Sequence, residues 1–339
     1  MKDKMKVFIS SRSFGIACPE AIEIIKSIAE IERSTFGRKL NEKELMDIVP
    51  YYDGIIVGMD EVTEKVIYSS NKLKVIAKHG IGLDNIDLNA ATKHGVIVTF
   101  VPQENAESVA DFTFCLILAL ARKIINAHLS TIKGEWSPLK FVGKEIYGKT
   151  LGIIGLGSIG LRVAKRAKGF DMRILCTTAH PEKHKKEAEI YGIEFVNLET
   201  LLRESDIITI HVPLTPETKG MIGSKELSLM KKDALLINTA RGPIIDEKAL
   251  IEALKEKRIA GAALDVFEKE PPINSPILSP EIYDKLILSP HVSGLTPDME
   301  RALTLAQVNC CIKALKGQVP ETTLNPKAIR KWKEKFKDT

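Results

Sequence analysis

The stretch GKTLGIIGLGSIG, residues 148–160, decides the fold of this 339-residue chain. A short apolar run with strand character ends in glycine, and a run with helical apolar spacing begins directly after the turn. Gly155 allows the tight turn, Gly157 lets the backbone approach a pyrophosphate, and Gly160 lets the helix pack closely on the strand. The helix N-terminus then faces the phosphates. This order of strand, glycine turn and helix predicts the first βαβ unit of a dinucleotide-binding sheet.

Short β-rich runs alternate with helical segments on both sides of this stretch. The predicted strands are KVFIS (6–10), GIIVG (54–58), LKVIAK (73–78), VIVTF (96–100), LGIIG (151–155), MRILCT (172–177), DIITIHV (206–212), ALLINT (234–239), AALDVF (262–267) and LILS (286–289). A helix is predicted over residues 19–32, and the last six strands form a second domain. Such alternation builds parallel sheets with helices on both faces. We therefore predict an α/β protein with two Rossmann-like lobes, each a doubly wound parallel sheet, and a cleft between them.

Two further segments have a distinct pattern. Residues 104–133 contain neither proline nor glycine and are rich in apolar residues, which predicts one long helix buried between two bodies. Residues 326–339 carry an excess of lysine and arginine. We interpret them as a basic tail, either a solvated helix end or a frayed terminus.

The composition excludes several classes of protein. Apolar residues make up 44% and charged residues 27% of the chain, and no tract approaches the ~18 apolar residues of a membrane span. The net charge of +5 lies largely in the tail and is weak evidence for nucleic-acid binding. Five cysteines without a CxxC pattern favour free thiols in a reducing compartment. We expect a cytoplasmic protein with neither a membrane segment nor a nucleic-acid partner.

The acidic residue expected ~20 residues after the glycine turn is absent. Thr177 and Thr178 stand at the strand end instead, and the first acid is Glu182. A carboxylate at that point would bind the ribose 2′-hydroxyl of NAD, whereas two hydroxyls near His180 and Lys183 would tolerate a 2′-phosphate. NAD(H) and NADP(H) therefore both remain open.

Three polar residues follow three of the predicted strands. Arg241 follows ALLINT, Glu270 follows AALDVF, and His291 follows LILS and a proline. In a parallel sheet these positions share the carboxyl edge, where ligands bind. An arginine can clamp a carboxylate, a histidine can move a proton near neutral pH, and a carboxylate stabilises the charged form of that histidine. Together they predict a catalytic site.

These features resemble the D-isomer-specific 2-hydroxyacid dehydrogenases, and most closely their 3-phosphoglycerate dehydrogenase branch. The resemblance runs from about residue 5 to about residue 320. It rests on KHGIGLDNID (78–87), NAESVAD (105–111), GKTLGIIGLGSIG (148–160), HVPLTPETKGMI (211–222), LLINTARGPIIDEKAL (235–250), AALDVFEKEPP (262–272) and SPHVSGLT (289–296).

The resemblance implies a role for each matching position. Arg241 would bind the substrate carboxylate and polarise the keto oxygen, His291 would be the acid/base, and Glu270 would be its partner. Substrate contacts would come from Lys78, Gly80, Ile81, Gly82, Asn105, Arg241 and His291. Cofactor contacts would come from Gly155, Gly157, Ser158, Ile159, Gly160, Thr177, Thr178, His211, Val212, Pro213, Thr218, Thr239, Ala240, Arg241, Asp265, His291 and Gly294.

The resemblance also implies an activity and a domain plan. The expected reaction is hydride transfer between a nicotinamide cofactor and a small D-2-hydroxy acid or 2-oxo acid. A flavodoxin-like substrate-binding domain would comprise residues 1–103 and 296–325, and the dinucleotide-binding domain would comprise residues 104–295, followed by the basic tail. Members of this family commonly form dimers through the long helix, so we expect a homodimer.

The sequence departs from the phosphoglycerate dehydrogenase branch in one segment, and two other functions remain open. The phosphoglycerate dehydrogenase branch often has an arginine within residues 57–61 that helps to bind the substrate phosphate, whereas here this segment contains Asp60 and Glu61. A glyoxylate or hydroxypyruvate reductase is the alternative enzyme, and an NAD(P)-sensing protein similar to the family's corepressors is the alternative of another class. His180 and His184 have the spacing of metal ligands on a helix, but a proline intervenes and no third ligand is evident, so no metal is expected.

Overall fold

Parallel strands and helices alternate along the chain, as the sequence predicts. The computed structural model describes residues 4–80, 83, 85–101 and 105–335. The chain divides into two compact units, which we call the terminal unit (Met1–Glu104 with Thr296–Thr339) and the central unit (Asn105–Leu295). Each contains one sheet with parallel strand pairs, which confirms the predicted α/β class with two Rossmann-like sheets.

The elements follow one another in regular order. The strands are β1 (Met5–Ile9), β2 (Ala29–Arg33), β3 (Gly54–Val57), β4 (Val75–Lys78), β5 (Ile97–Phe100), β6 (Thr150–Ile154), β7 (Arg173–Thr177), β8 (Ile193–Phe195), β9 (Ile207–Ile210), β10 (Leu235–Asn238), β11 (Gly261–Leu264) and β12 (Leu286–Leu288). The helices are α1 (Glu20–Lys26), α2 (Glu42–Ile48), α3 (Glu64–Tyr68), α4 (Leu88–His94), α5 (Ala106–Ala121), α6 (Ile124–Ile132), α7 (Ser158–Lys168), α8 (Lys185–Tyr191), α9 (Leu198–Glu204), α10 (Ser224–Leu229), α11 (Glu247–Lys255), α12 (Pro297–Leu315) and α13 (Ile329–Lys335). Short 3-10 turns lie at Val49–Tyr51, Pro138–Phe141, Pro181–His184, Gly242–Ile244, Pro276–Leu278, Pro280–Lys285 and Pro326–Ala328.

Strand order defines a switch point in each sheet. The terminal sheet has the order β2-β1-β3-β4-β5, and the central sheet has the order β12-β11-β10-β9-β6-β7-β8. Successive strands are therefore added in opposite directions on the two sides of the β1–β3 pair in the first sheet and of the β6–β9 pair in the second. In open α/β sheets, ligands bind outside the carboxyl ends of the strands at such a point.

The central strands of both sheets are short, apolar and fully buried. Every residue of β3, β4, β9, β10 and β11 is buried, because helices cover both faces of each sheet. Two buried apolar clusters line the two faces of the central sheet, and two more line the terminal sheet. This double burial explains why the strands stand out in the sequence as continuous apolar runs.

Two edge strands are missing from the sequence prediction. The helix predicted over residues 19–32 is wrong in its second half, because α1 ends at Lys26 and β2 follows it and pairs with β1. In β2 only Ala29 is buried, so the strand lacks the apolar run that marks the others. The three-residue strand β8 is likewise an edge strand, and it brings the central sheet to seven strands rather than the six predicted.

The single helix predicted over residues 104–133 is also wrong, because α5 ends at Ala121 and α6 begins at Ile124. Lys123 between them has a left-handed φ of +52°. The carbonyl oxygen of Ala121 accepts a hydrogen bond from the amide of Lys144, 2.8 Å away. A Cβ at Gly143 would lie 2.6 Å from that same oxygen, so this segment packs directly against the break.

Residues 326–335 are not fully solvated, although their charge predicts a solvated helix end or a frayed terminus. Trp332 of α13 is 1% exposed, belongs to a core cluster of the terminal unit, and donates its indole N–H to the carbonyl oxygen of Lys74 at 3.0 Å. Ala328 is fully buried as well. This segment therefore packs on the terminal sheet through Ala328 and Trp332, and it leaves Lys327, Arg330, Lys331 and Lys333 exposed. Among the helices that the structure describes, none is long and apolar enough to cross a membrane.

Candidate active site

The glycine turn after β6 lies at the switch point of the central sheet. Gly155 has a φ of +99°, and a Cβ there would lie 2.7 Å from both the His211 carbonyl oxygen and Val212 Cγ1. A Cβ at Gly160 would lie 2.2 Å from the carbonyl oxygen of Gly155, so α7 can approach the turn only without a side chain at this point. By contrast, apart from its two chain neighbours, no described residue has an atom within 4 Å of a Cβ built on Gly157. The turn thus leaves open space beside the N-terminus of α7, which fits a dinucleotide pyrophosphate.

The segment after β9 forms the neighbouring wall of this turn. The amide of His211 donates to the carbonyl oxygen of Ile154 at 2.7 Å, and its Nε2 lies 2.9 Å from the hydroxyl of Thr209. Burial lowers the pKa of His211 to about 3, so the ring is neutral at physiological pH. Its buried Nδ1 has no hydrogen-bond partner among the described residues. The Thr218 hydroxyl donates to the carbonyl oxygen of Pro213 at 2.6 Å and thereby holds the following loop.

The end of β7 supplies hydroxyl groups in place of a carboxylate. The backbone carbonyl oxygen of Thr177 accepts a hydrogen bond from the amide of Gly155 at 2.9 Å, and the side chains of Thr177 and Thr178 are half-buried. His180 is exposed, and its Nδ1 lies 3.3 Å from Glu182. This arrangement is compatible with either nicotinamide dinucleotide.

The loop after β10 is held by a buried asparagine. The Asn238 side chain accepts from the amide of Ala240 at 3.0 Å and donates to the carbonyl oxygen of Arg241 at 2.9 Å. The Thr239 hydroxyl lies 3.2 Å from that of Thr113 on α5. Arg241 is exposed, and its Nη1 donates to the carbonyl oxygen of Ala240 at 2.7 Å. A guanidinium has five N–H donors, so this contact leaves Arg241 able to clamp a carboxylate.

His291 and Glu270 form a hydrogen-bonded pair. Nδ1 of His291 lies 2.8 Å from Oε2 of Glu270, whose other oxygen accepts from the amide of Phe267 at 3.1 Å. An ionised carboxylate only accepts hydrogen bonds, so Nδ1 of the ring is the donor in this contact. The His291 side chain is 48% exposed, which leaves Nε2 as the ring atom for chemistry.

Asp265 organises the backbone on both sides of His291. It is fully buried, and its Oδ1 accepts from the hydroxyl of Ser289 at 2.6 Å and from the amide of Val292 at 3.0 Å. Its Oδ2 accepts from the amide of Ser293 at 2.9 Å. His291 itself has a left-handed φ of +54°, which is unusual for a residue with a side chain. These hydrogen bonds hold the turn in this conformation and so fix the direction of the imidazole.

Close backbone packing brings the loops of the site together. A Cβ on Gly242 would lie 1.9 Å from the carbonyl carbon of Phe267, so the loop that follows Arg241 lies directly on the loop that leads to Glu270. In the same way, a Cβ on Gly294 would lie 3.2 Å from Nδ2 of Asn105. Both close contacts lie within the central unit.

Glu247 supports the site and is not among the residues predicted from the sequence. Glu247 of α11 is 8% exposed. Its carboxylate accepts hydrogen bonds from the amide of Glu268 at 2.5 Å and from the hydroxyl of Ser275 at 3.3 Å. It therefore anchors the loop that contains Glu270. The signal available in the sequence is the acidic pair Asp246 and Glu247 before the apolar run of α11, which resembles an ordinary helix N-terminus.

In the terminal unit, Lys78 is buried at the end of β4. It is 4% exposed, and its ammonium donates to the carbonyl oxygen of Gly58 and to Oδ1 of Asn85, the latter at 2.7 Å. Lys78 thus ties the end of β3 to the segment after β4. Ile81 and Gly82, which the resemblance implies in substrate binding, lie outside the described residues.

A buried hydrogen-bond chain lies beneath Gly80, which has a φ of +132°. The Thr304 hydroxyl donates to the carbonyl oxygen of Glu300 at 2.7 Å, so it accepts from Nε2 of His79, 3.0 Å away. Nδ1 of His79 then accepts from the hydroxyl of Ser11 at 2.9 Å. Burial, and secondarily the charge of Lys78, lowers the pKa of His79 to about 4, so the ring is neutral and is held in one tautomer.

The two acids after β3 have internal partners. Asp60 is 2% exposed and accepts from the hydroxyl of Ser10 at 2.5 Å and from the amide of Leu40 at 2.7 Å. Glu61 forms a surface ion pair with Lys39 at 2.6 Å. Both carboxylates therefore hold loops of the terminal unit.

Comparison with known proteins agrees with this geometry. The sequence profile of the D-isomer specific 2-hydroxyacid dehydrogenase NAD binding domain matches residues 114–293. The chain is 44% identical to a D-3-phosphoglycerate dehydrogenase of Methanocaldococcus jannaschii, over 90% of this chain and 57% of that protein. It is 41% identical to a glyoxylate reductase of Thermococcus litoralis, over 95% of this chain and 97% of that protein. The crystal structure of D-lactate dehydrogenase with NAD+ from Lactobacillus jensenii has a TM-score of 0.81 and 28% identity, and the match covers 94% of this chain and 99% of that one.

The chain therefore belongs to the D-isomer-specific 2-hydroxyacid dehydrogenase family, as its motifs predict. It is an oxidoreductase that transfers a hydride between a nicotinamide cofactor and a small 2-hydroxy acid or 2-oxo acid. The chain spans 57% of the length of the phosphoglycerate dehydrogenase relative, but nearly the full length of the glyoxylate reductase.

Proposed function

We propose that this protein reversibly reduces small 2-oxo acids to D-2-hydroxy acids, with His291 as the proton donor and Glu270 as its partner. The observation that supports this most directly is the 2.8 Å contact between Nδ1 of His291 and Glu270, at the carboxyl edge of the central sheet. A histidine that is held through one ring nitrogen by a carboxylate presents its other nitrogen for proton transfer.

His291 supplies the proton to the keto oxygen as the reduced alcohol forms. The carboxylate of Glu270 stabilises the imidazolium before transfer and keeps Nδ1 as a donor throughout. The nicotinamide, when bound, supplies the hydride at its C4 position. In the oxidative direction Nε2 of His291 accepts the hydroxyl proton, and Glu270 again stabilises the resulting charge.

Arg241 binds the substrate carboxylate with its exposed guanidinium and stabilises negative charge on the keto oxygen. Asn238 holds the backbone of this loop, so the guanidinium needs little reorganisation when substrate binds. We also propose that the substrate carboxylate contacts Gly80, Ile81 and Gly82. Lys78 adds a positive charge near Gly80, where a Cβ would lie 4.0 Å from its Nζ, and Asn105 contributes an amide beside Gly294.

For the cofactor we propose a site along the glycine turn and the strand ends that surround it. Ser158 and Ile159 begin α7 and offer their backbone amides to the pyrophosphate. Further contacts are proposed from Gly155, Gly157, Gly160, Thr177, Thr178, His211, Val212, Pro213, Thr218, Thr239, Ala240, Arg241, Asp265, His291 and Gly294. Thr177 and Thr178 admit either NAD(H) or NADP(H), and titration with both cofactors decides between them.

We propose a homodimer that covers the exposed apolar side chains of α6 and the following segment. These side chains are Ile124, Ile125, Leu129, Ile132, Trp136 and Leu139. Trp136 and Leu139 are 86% and 87% exposed in the single chain, which is unusual for large apolar residues that lie close together in sequence. Sedimentation should give the mass of a dimer, and a monomer at micromolar concentration would contradict this assembly.

The five cysteines are free, and we propose a cytoplasmic location on that basis.

A direct test follows the oxidation of NADH and NADPH with glyoxylate, hydroxypyruvate, phosphohydroxypyruvate and pyruvate. We expect turnover with at least one pair, and a loss of about 10²–10⁴-fold in kcat for His291→Ala, with cofactor affinity retained. Near-normal turnover by His291→Ala would remove the acid/base assignment. Cofactor binding without turnover of any acid by the unmodified protein would contradict the proposed function.

A further inference from the structure

Arg12 stands at the switch point of the terminal sheet. The amides of Ser10 and Ser11 both donate to the carbonyl oxygen of Ile56, at 3.0 and 3.3 Å, and thus extend the pairing of β1 with β3 beyond Ile9. Arg12 is the first residue after these contacts. The order β2-β1-β3-β4-β5 makes the carboxyl ends of β1 and β3 the place where a ligand of such a sheet binds.

The guanidinium of Arg12 has no charged partner among the residues that the structure describes. Its side chain is exposed, and Nη1 makes a long contact of 3.3 Å with the carbonyl oxygen of Gly37. Within the described ranges no carboxylate lies at ion-pair distance from it, although most arginines of the chain have one. Arg241 in the central unit is likewise exposed and without an acidic partner among those residues. Arg33, at the end of β2, is also exposed and without an acidic partner among those residues, but its Nη2 donates to the carbonyl oxygen of Phe14 at 2.9 Å. With its longer contact, Arg12 is the freer of these two arginines in the terminal unit.

Four other charged groups near this edge already have partners. Lys78 is buried and donates to Gly58 and Asn85, and Lys39 pairs with Glu61 at 2.6 Å. The carboxylate of Asp60 is turned towards Ser10 and the amide of Leu40. The acids after β3 thus serve loop structure, and they do not neutralise Arg12.

The position of Arg12 suits an anionic group at the far end of a substrate. Gly80, where we place the substrate carboxylate, follows β4, and β3 lies between β4 and β1. Two strand spacings amount to roughly 9–10 Å between the ends of β1 and β4. A two-carbon acid held at Gly80 is too short to reach Arg12, whereas an acid with a second anion several bonds away can meet the extended arginine side chain.

We propose that Arg12 binds a distal anionic group of the substrate, a phosphoryl group or a second carboxylate. This makes the protein a dehydrogenase for 2-hydroxy acids that are anionic at both ends. The inference rests on the proposed function and adds to it the substrate class. A guanidinium fork pairs with either anion through two parallel hydrogen bonds, so Arg12 supplies the distal clamp that residues 57–61 do not.

The experiment compares Arg12→Gln and Arg12→Lys with the unmodified protein on four substrates. Glyoxylate and hydroxypyruvate lack a distal anion, phosphohydroxypyruvate has a phosphoryl group, and oxaloacetate has a second carboxylate. Arg330→Gln is the matched control, because Arg330 is 93% exposed on α13 of the same unit. Steady-state kcat and KM are measured for every pair.

We expect the unmodified protein to prefer at least one doubly anionic acid over hydroxypyruvate. Arg12→Gln should lower kcat/KM for that acid by about 10- to 150-fold, the worth of a charge-assisted hydrogen bond. Arg12→Lys should recover part of the loss, and Arg330→Gln should have no effect. Values for glyoxylate and hydroxypyruvate should stay unchanged, which also verifies that the variant is folded. A loss confined to phosphohydroxypyruvate identifies the distal group as phosphoryl, and a loss confined to oxaloacetate identifies it as a carboxylate.

Failure of the Arg12 assignment and failure of the proposed function give different results in this experiment. If hydroxypyruvate or glyoxylate is reduced, but Arg12→Gln changes no substrate or changes all four equally, the role of Arg12 is overturned and the proposed function stands. If the unmodified protein reduces none of the four while cofactor binds, the proposed function fails and the substrate class fails with it.

Discussion

Replacing Asp265 by asparagine tests whether a buried carboxylate positions His291. Asp265 accepts three hydrogen bonds, from the hydroxyl of Ser289 and from the amides of Val292 and Ser293. Asparagine has nearly the same shape but only one oxygen. Whichever way its amide group turns, an NH2 group faces at least one N–H or O–H donor that was previously bonded.

The expected loss of stability follows from these three hydrogen bonds. Loss of one charge-assisted hydrogen bond costs about 1.5–3 kcal/mol, and an unsatisfied buried donor adds to it, so the free energy of unfolding should fall by roughly 2–4 kcal/mol. The turn around His291 would also relax from its left-handed conformation. Because a shift of ~1 Å at a reacting group costs about 10²-fold, kcat should fall by one to two orders of magnitude.

Denaturant unfolding, steady-state kinetics and NADH titration of Asp265→Asn provide the assay. Because the fully buried Asp265 is also one of the proposed cofactor contacts, kcat is measured at saturating NADH, at a concentration that the titration sets. Asp246→Asn is the matched control, because Asp246 is an exposed N-cap of α11 and asparagine caps helices equally well. Equal stability and kcat for the two variants would refute the positioning role of Asp265.

Three other predictions concern the glycine turn and a buried histidine. Gly157→Ala should fold normally but bind NADH more weakly, because its Cβ meets no described atom yet enters the space assigned to the cofactor; an unchanged dissociation constant would contradict this. Gly160→Ala should destabilise the protein by about 1–3 kcal/mol, because its Cβ would lie 2.2 Å from the Gly155 carbonyl oxygen; a melting temperature equal to that of Gly157→Ala would count against it. Burial lowers the pKa of His79 to about 4, whereas the unfolded chain titrates near about 6.5. The unfolded state therefore binds the proton first, so up to about 3 kcal/mol of stability is present above about pH 6.5 and is lost as the pH falls towards about 4. His79→Gln should flatten the dependence of unfolding free energy on pH in this window, and parallel profiles for the two proteins would argue against the assignment.

The sequence by itself determines the class of fold and the family. Central strands such as β9 and β10 are buried on both faces and therefore leave continuous apolar runs. The glycine turn can also be recognised in the sequence, because Gly155 and Gly160 lie where the backbone leaves no room for a side chain. Arg241, Glu270 and His291 can be picked out because each follows a predicted strand, at the carboxyl edge of a parallel sheet.

Tertiary structure alone decides which polar side chains are free and which are engaged. Lys78 and Arg12 both follow strands of the terminal sheet, yet the first is buried against Gly58 and Asn85 and the second is exposed without an acidic partner among the described residues. Asp265 reaches its partners 24 to 28 residues further along the chain. Such pairings depend on how strands are ordered in a sheet, and no local pattern encodes that order.

The same reason explains the errors in the predicted elements. Strand β2 is a strand because β1 lies beside it, although four of its five residues are not buried. The chain turns between α5 and α6 because the segment at Gly143 packs against Ala121 and captures its carbonyl oxygen. The segment around Trp332 packs into the core through this side chain, although its charge predicts a solvated tail. In each case a contact with a residue distant in sequence outweighs the local preference, and only the folded chain supplies that contact.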